Sequence, residues 1–151
     1  MRAYQLTIPA ENKPGILAKV TSALAREKID IRATTISSFG DQGFFNLIVD
    51  DVERAAKVLK KEGINAELKE VIAVLMKDQP GGLDKLVQVL AEAQINIENA
   101  YGFVIESHRD AVFILDVKDP GQAKEVLKKE KFSTLSAEAL AAIEPFHYMK
   151  Y

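Results

Sequence analysis

The chain of 151 residues has no cysteine, only two histidines and a formal net charge of −2. Without cysteine there is no disulfide framework, no thiol nucleophile and no thiolate metal site. His108 and His147 are not spaced as a metal pair, and no acidic motif accompanies them. A pI near 5.8 gives no basic footprint for nucleic acid. No run is long and apolar enough to span a bilayer, and Met1-Arg2-Ala3-Tyr4-Gln5 leads directly into a strand pattern. The expectation is therefore a soluble cytoplasmic protein with neither signal peptide nor membrane partner. The serines lack a nucleophile elbow, and no glycine turn carries the lysine of a phosphate-binding loop. These absences predict a protein that is not an enzyme and has no cofactor or metal.

What the chain does have is repetition. Glu11-Asn12-Lys13-Pro14-Gly15-Ile16-Leu17 returns as Lys77-Asp78-Gln79-Pro80-Gly81-Gly82-Leu83, 66 positions on. Ala25-Arg26-Glu27-Lys28-Ile29-Asp30-Ile31 becomes Ala91-Glu92-Ala93-Gln94-Ile95-Asn96-Ile97 at the same offset. Ala55-Ala56-Lys57-Val58-Leu59-Lys60-Lys61-Glu62 reappears as Ala123-Lys124-Glu125-Val126-Leu127-Lys128-Lys129-Glu130, now 68 apart. A fixed-period duplication means one small domain present twice. The expected domains are residues 1–70 and residues 71–151. A module of roughly 70 residues buries too little surface to be robust alone, so docking between repeats or between chains is expected.

Within the first repeat, residues 2–8 alternate as a strand with one apolar face. Pro14-Gly15 makes a turn, and Ile16, Leu17, Val20, Ala23 and Leu24 recur at helical spacing up to residue 28. Residues 29–38 and 44–49 read as two strands joined by hairpin chemistry at Phe39-Gly40-Asp41-Gln42-Gly43. Asp51 is placed to cap a second helix over 52–62, which Gly63 ends, and 64–68 reads as a fourth strand. The second repeat gives strand 71–76, helix 82–93, strands 95–105 and 111–117, helix 120–130 and a short strand near 132–135. A serine-capped helix over 136–143 follows. The order βαββαβ, taken twice, predicts an α+β fold of two ferredoxin-like modules. Each has a four-stranded antiparallel sheet with both helices on one face.

The opposite sheet face is not written as solvent. Val71, Ala73 and Leu75 alternate with equally apolar Ile72, Val74 and Met76, and Val112 and Ile114 alternate with Phe113, Leu115 and Val117. A strand apolar on both faces is covered on both. Helices cover one, so a sheet from the same chain or from a partner chain should cover the other, and a homodimer is expected. The first repeat is more polar there, at Gln5, Thr7 and Asn46.

The two Pro-Gly turns carry the sharpest chemical signal. Glycine lets a small ligand approach the backbone, and free N–H groups at a helix start suit a carboxylate. Asn12 and Asp78, at equivalent positions, can accept from an α-ammonium group. A lone Pro-Gly is most simply a tight turn, but its return in register favours a pair of sites. A βαββαβ unit with Asp/Asn-x-Pro-Gly-x-Leu after its first strand resembles the ACT domain, a regulatory module of amino-acid metabolism. The resemblance covers essentially the whole chain. Leu47-Ile48-Val49-Asp50-Asp51, Asn96-Ile97-Glu98-Asn99-Ala100-Tyr101-Gly102-Phe103 and Leu135-Ser136-Ala137-Glu138-Ala139-Leu140 are similar to the small free-standing tandem ACT proteins.

That resemblance implies an amino-acid ligand, typically held between modules, and a regulatory, allosteric role. The implied ligand residues are Asn12, Pro14, Gly15, Ile16 and Leu17 in the first repeat and Asp78, Pro80, Gly81, Gly82 and Leu83 in the second. Asn99 and Tyr101 join them, lying where a family partner strand would meet a ligand. They read equally well as a satisfied interface asparagine and a packed tyrosine, sharing a face with Ile95 and Ile97. Gly82 stands where the first repeat has Ile16, so the two sites are expected to differ. Alternative readings are a detached regulatory subunit of a biosynthetic enzyme such as acetolactate synthase, and a ligand-free dimerisation module. The RNA-recognition motif shares the βαββαβ order, but Gly43-Phe44-Phe45 lacks its second aromatic position and any basic neighbour. The lysines lie on the second helices among glutamates, a solvated face, so no nucleic-acid partner is expected.

Overall fold

The computed structural model describes residues 2–11, 14–106 and 108–143. Their elements, in chain order, are β1 (Ala3–Glu11), α1 (Ile16–Arg26), β2 (Ile31–Phe39), β3 (Gln42–Val49), α2 (Val52–Lys61) and β4 (Glu67–Lys77). Then come α3 (Gly82–Glu92), β5 (Ile97–Glu106), β6 (Asp110–Val117), α4 (Pro120–Lys129), β7 (Ser133–Leu135) and α5 (Ala137–Ala142). Two compact units result, one drawn from residues 4–69 and the other from residues 1–3 and 70–151. Arg2 belongs with the second unit because its carbonyl accepts from the Ala137 N–H at 2.8 Å, while its Nε lies 3.8 Å from Glu70.

In the first unit β3 pairs antiparallel with both β1 and β2. In the second, β4 pairs antiparallel with β7 and β6, and β6 with β5. The duplication is legible in the cores. Leu6, Ile8, Val20, Leu24, Leu47, Val49, Ala55 and Leu59 are buried together in the first unit. Ile72, Val74, Leu86, Leu90, Leu115, Val117, Ala123 and Leu127 are buried together in the second. Each pair sits 66 or 68 positions apart, so the same helix stripe meets the same strand face twice.

Capping follows the sequence. Asp51 Oδ1 accepts from the Arg54 N–H at 3.2 Å, Asp119 Oδ1 from Gln122 at 3.1 Å and Ser136 Oγ from Ala139 at 3.1 Å. These oxygens accept from N–H donors that a helix start otherwise leaves unpaired.

Three expectations change. First, one strand spans Glu67–Lys77 where two were expected, and 64–66 lies outside it. Leu68-Lys69-Glu70-Val71 contains no glycine, proline or other turn residue to end a strand, so the pattern runs through. Second, β5 carries a register shift between Ile97 and Asn99. Ile97 pairs with Val117 and packs on the helix-side core, whereas Asn99 pairs with Asp116 and Tyr101 with Ile114. The extra residue reverses the alternation, so Asn99 and Tyr101 do not share a face with Ile97. Third, Val71, Ala73, Val112 and Ile114 are fully buried within the single chain. Their apolar second face therefore calls for no second copy to cover it.

In the first unit the corresponding face holds a buried polar ladder. Gln5 Nε2 donates to Thr7 Oγ1 at 3.0 Å and to Asn46 Oδ1 at 3.2 Å, and Asn46 Nδ2 donates to Thr35 Oγ1 at 3.2 Å. Buried amides are tolerable because they are paired with one another across three strands.

Candidate functional site

Both Pro-Gly turns form the junction between a strand and the helix that follows. Gly15 has φ +91° and Gly81 φ +86°, left-handed values that favour glycine, and each is the residue from which its helix starts. Neither helix start has a side-chain cap, unlike α2 and α4. At α3 the Gly82 N–H is taken up by the Gln79 carbonyl at 3.1 Å, and the Leu83 and Asp84 N–H groups that follow are left to water or to an anion. A Cβ added at Gly15 or Gly81 would meet nothing within 4 Å, so space is open in front of both backbones.

At the first turn Pro14 and Gly15 are exposed, while Ile16 and Leu17 pack against the first core. Asn12 lies outside the described residues. At the second turn Pro80 and Gly81 are exposed, Gly82 is half-buried and Leu83 is exposed. Asp78, half-buried, accepts from the His108 N–H at 2.8 Å through Oδ2, and its own N–H donates to the Arg109 carbonyl at 3.0 Å. This carboxylate latches the end of β4 to the β5–β6 hairpin, a role the sequence did not suggest.

Beneath the second turn is a cavity of about 310 Å³ lined by Met76, Lys77, Asp78, Gln79, Leu83, Gly102, Phe103, Val104, Ala111, Val112 and Phe113. Of the residues expected from sequence, Asp78 and Leu83 line it, and Pro80, Gly81 and Gly82 lie between them along the chain. Asn99 and Tyr101 are not in its wall. The bulge turns them to the other sheet face, where burial first and Asp116 second hold the Tyr101 phenol far above its usual pKa. The phenol therefore stays a neutral donor at every ordinary pH.

Sequence reasoning missed Met76, Gly102, Val104 and Phe113. The available signal was Gly102, a glycine in a strand interior, which often marks a close approach of another group. A larger hollow of about 520 Å³ lies along the end of α2, lined by Ala56, Lys57, Lys60, Gly63, Ile64, Asn65 and Ala66. It includes no turn residue and has no strand floor, so the cavity under the second turn is the better-built ligand site.

Residues 1–144 match the model of the ACT domain pair. No curated protein matches the chain. Among solved structures, protein BT0572 from Bacteroides thetaiotaomicron is similar at 32% identity and TM-score 0.86, over 94% of this chain and 97% of that one. The ligand-free regulatory subunit of aspartate kinase from Thermus thermophilus is similar at 21% identity and TM-score 0.61, over 85% and 91%. Its counterpart from Thermus flavus gives 22% and 0.55, again over 85% and 91%. At such identities the two kinase subunits speak to the fold. Among the described residues, no helix is long and apolar enough to cross a membrane.

Proposed function

The chain belongs to the ACT domain pair family, and from that membership we propose that it is a cytoplasmic regulatory protein that binds a small amino acid. Its modules are residues 1–70 and residues 71–151, each ferredoxin-like, and the ligand lies at the Pro-Gly turns. The observation that carries this reading is the second turn. There an uncapped helix start, a half-buried carboxylate and an apolar cavity of about 310 Å³ meet within one unit. The helix start suits the ligand's carboxylate, Asp78 its ammonium group, and the cavity its side chain. Among the described residues, neither turn supplies a nucleophile, which suits a ligand that is held and not converted.

Binding acts by shifting the population between arrangements of the chain. A micromolar site supplies about 8 kcal/mol at the 1 M standard state, enough to bias a modest conformational gap. A biosynthetic enzyme is the partner this suits, as two proteins of similar fold are regulatory subunits of aspartate kinase.

A thermal-shift screen against the twenty amino acids tests the reading. Ligand at a hundred times its Kd stabilises by about 2.7 kcal/mol, which raises Tm by roughly 5–10 °C for a chain of this size. One amino acid or a chemically related few should do so, while a flat response across all twenty would remove the proposal. The assembly we propose is a homodimer, supported by Phe44, which remains 47% exposed on the sheet face away from the helices. Light scattering should give twice the chain mass of 16.7 kDa. A monomer at micromolar concentration would contradict it.

A further inference from the structure

Resting on the amino-acid-binding reading, we infer that the cavity under the second turn selects an aliphatic amino acid, and that the first turn is not its equivalent. Among the positions at which the two repeats differ here, two carry glycine in the second. Gly82 stands where the first repeat has Ile16, and Gly102 where it has Ile36, both 66 positions apart. The registers agree, since Ile36 pairs with Phe45 and Gly102 with Phe113, the phenylalanines being 68 apart.

Each glycine leaves something uncovered. A Cβ at Gly82 would stand 3.0 Å from the Lys77 carbonyl oxygen and 3.3 Å from Met76 Cε. A Cβ at Gly102 would stand 2.9 Å from the Phe113 ring. The bare backbone of β5 therefore lets Phe113 lie against it, and the ring forms a floor with Met76, Leu83 and Val104. In the first unit Ile16 packs on the core instead, and Ile36 projects from β2 at 55% exposure.

The polar groups of the cavity are all on one side, in Lys77-Asp78-Gln79. The zwitterionic end of an amino acid fits there, between the Asp78 carboxylate and the uncapped start of α3, with the side chain toward the floor. That floor presents no polar side chain, so a charged or hydroxylated ligand side chain would be buried unpaired. Glycine and alanine would leave the floor uncovered and lose its contact area. The class that fits is an unbranched or branched aliphatic side chain of leucine or methionine size.

Isothermal titration of the full chain with L-leucine, L-isoleucine, L-methionine, L-aspartate, L-lysine and L-threonine tests this. One of the first three should bind at least tenfold more tightly than any of the last three. Val104→Phe fills the mouth from a 52% exposed position on an edge strand without touching the buried core, and should weaken that binding at least tenfold. Ser38→Phe, at the equivalent exposed position of the first repeat, 66 residues earlier, should leave it unchanged. Tightest binding by a charged or hydroxylated amino acid, an unaffected Val104→Phe, or a loss caused by Ser38→Phe would overturn the inference while leaving an amino-acid-binding protein. Binding of no amino acid at all would overturn both.

Discussion

Gly63 and Lys131 occupy the same place, one residue past the cap of their helices and 68 positions apart. Both are left-handed, at φ +74° and +63°, and only the first is glycine. A lysine in that conformation costs about 1–2 kcal/mol, of which glycine's greater unfolded-state freedom would return part. Lys131→Gly should therefore stabilise the protein by about 0.5–1 kcal/mol, roughly 2 °C in Tm. A melt showing no change or a decrease would mean that the lysine is held there by contacts worth as much. Single residues were also where sequence was least informative about the site. Asp78 was legible as a polar group beside a turn, but not as the acceptor of the His108 N–H, because that bond depends on how a hairpin 30 residues away folds back. Gly102 was visible as a glycine, but its meaning rests on the Phe113 ring across the sheet.

At the scale of elements, the helices were the most legible part. Their stripes, the Asp51 cap and the Gly63 stop all follow from local spacing, and the observed bounds differ by a residue or two at the ends. Asp119 caps α4 as Asp51 caps α2, at 3.1 and 3.2 Å. Asp51→Ala and Asp119→Ala should each cost about 1 kcal/mol in chemical denaturation, and the double variant about their sum, since the caps share no partner. A cost well under half that for either would show the helix start to be held by packing instead. Strands were less legible because their meaning is set by partners. The break expected between 68 and 71 does not exist, and the β5 bulge reverses the face of Asn99 and Tyr101. A bulge leaves no mark in hydrophobic alternation until the partner strand is known.

For the whole molecule, the duplication fixes most of what can be read without coordinates. Equal offsets in the turns, helices and core stripes imply two copies of one unit, and the buried clusters match pair by pair. Similar folds do not make similar sites, however. The first unit buries a Gln5–Asn46–Thr35 ladder where the second buries Val71, Ala73, Val112 and Ile114. Ile16 and Ile36 likewise give way to glycine at the second turn. Duplication followed by divergence of this kind leaves one copy free to specialise in ligand and the other in structure. The central claim is that the ligand's carboxylate is met by backbone N–H groups at a helix start. Amide chemical shifts of the isotope-labelled chain test it most directly, during titration with the amino acid that stabilises it most. The largest perturbations should fall on Gly81, Leu83 and Asp84, with the Phe113 ring protons moving alongside. Perturbations centred on Lys57, Lys60 and Asn65 at the end of α2, with the turn amides unmoved, would contradict it.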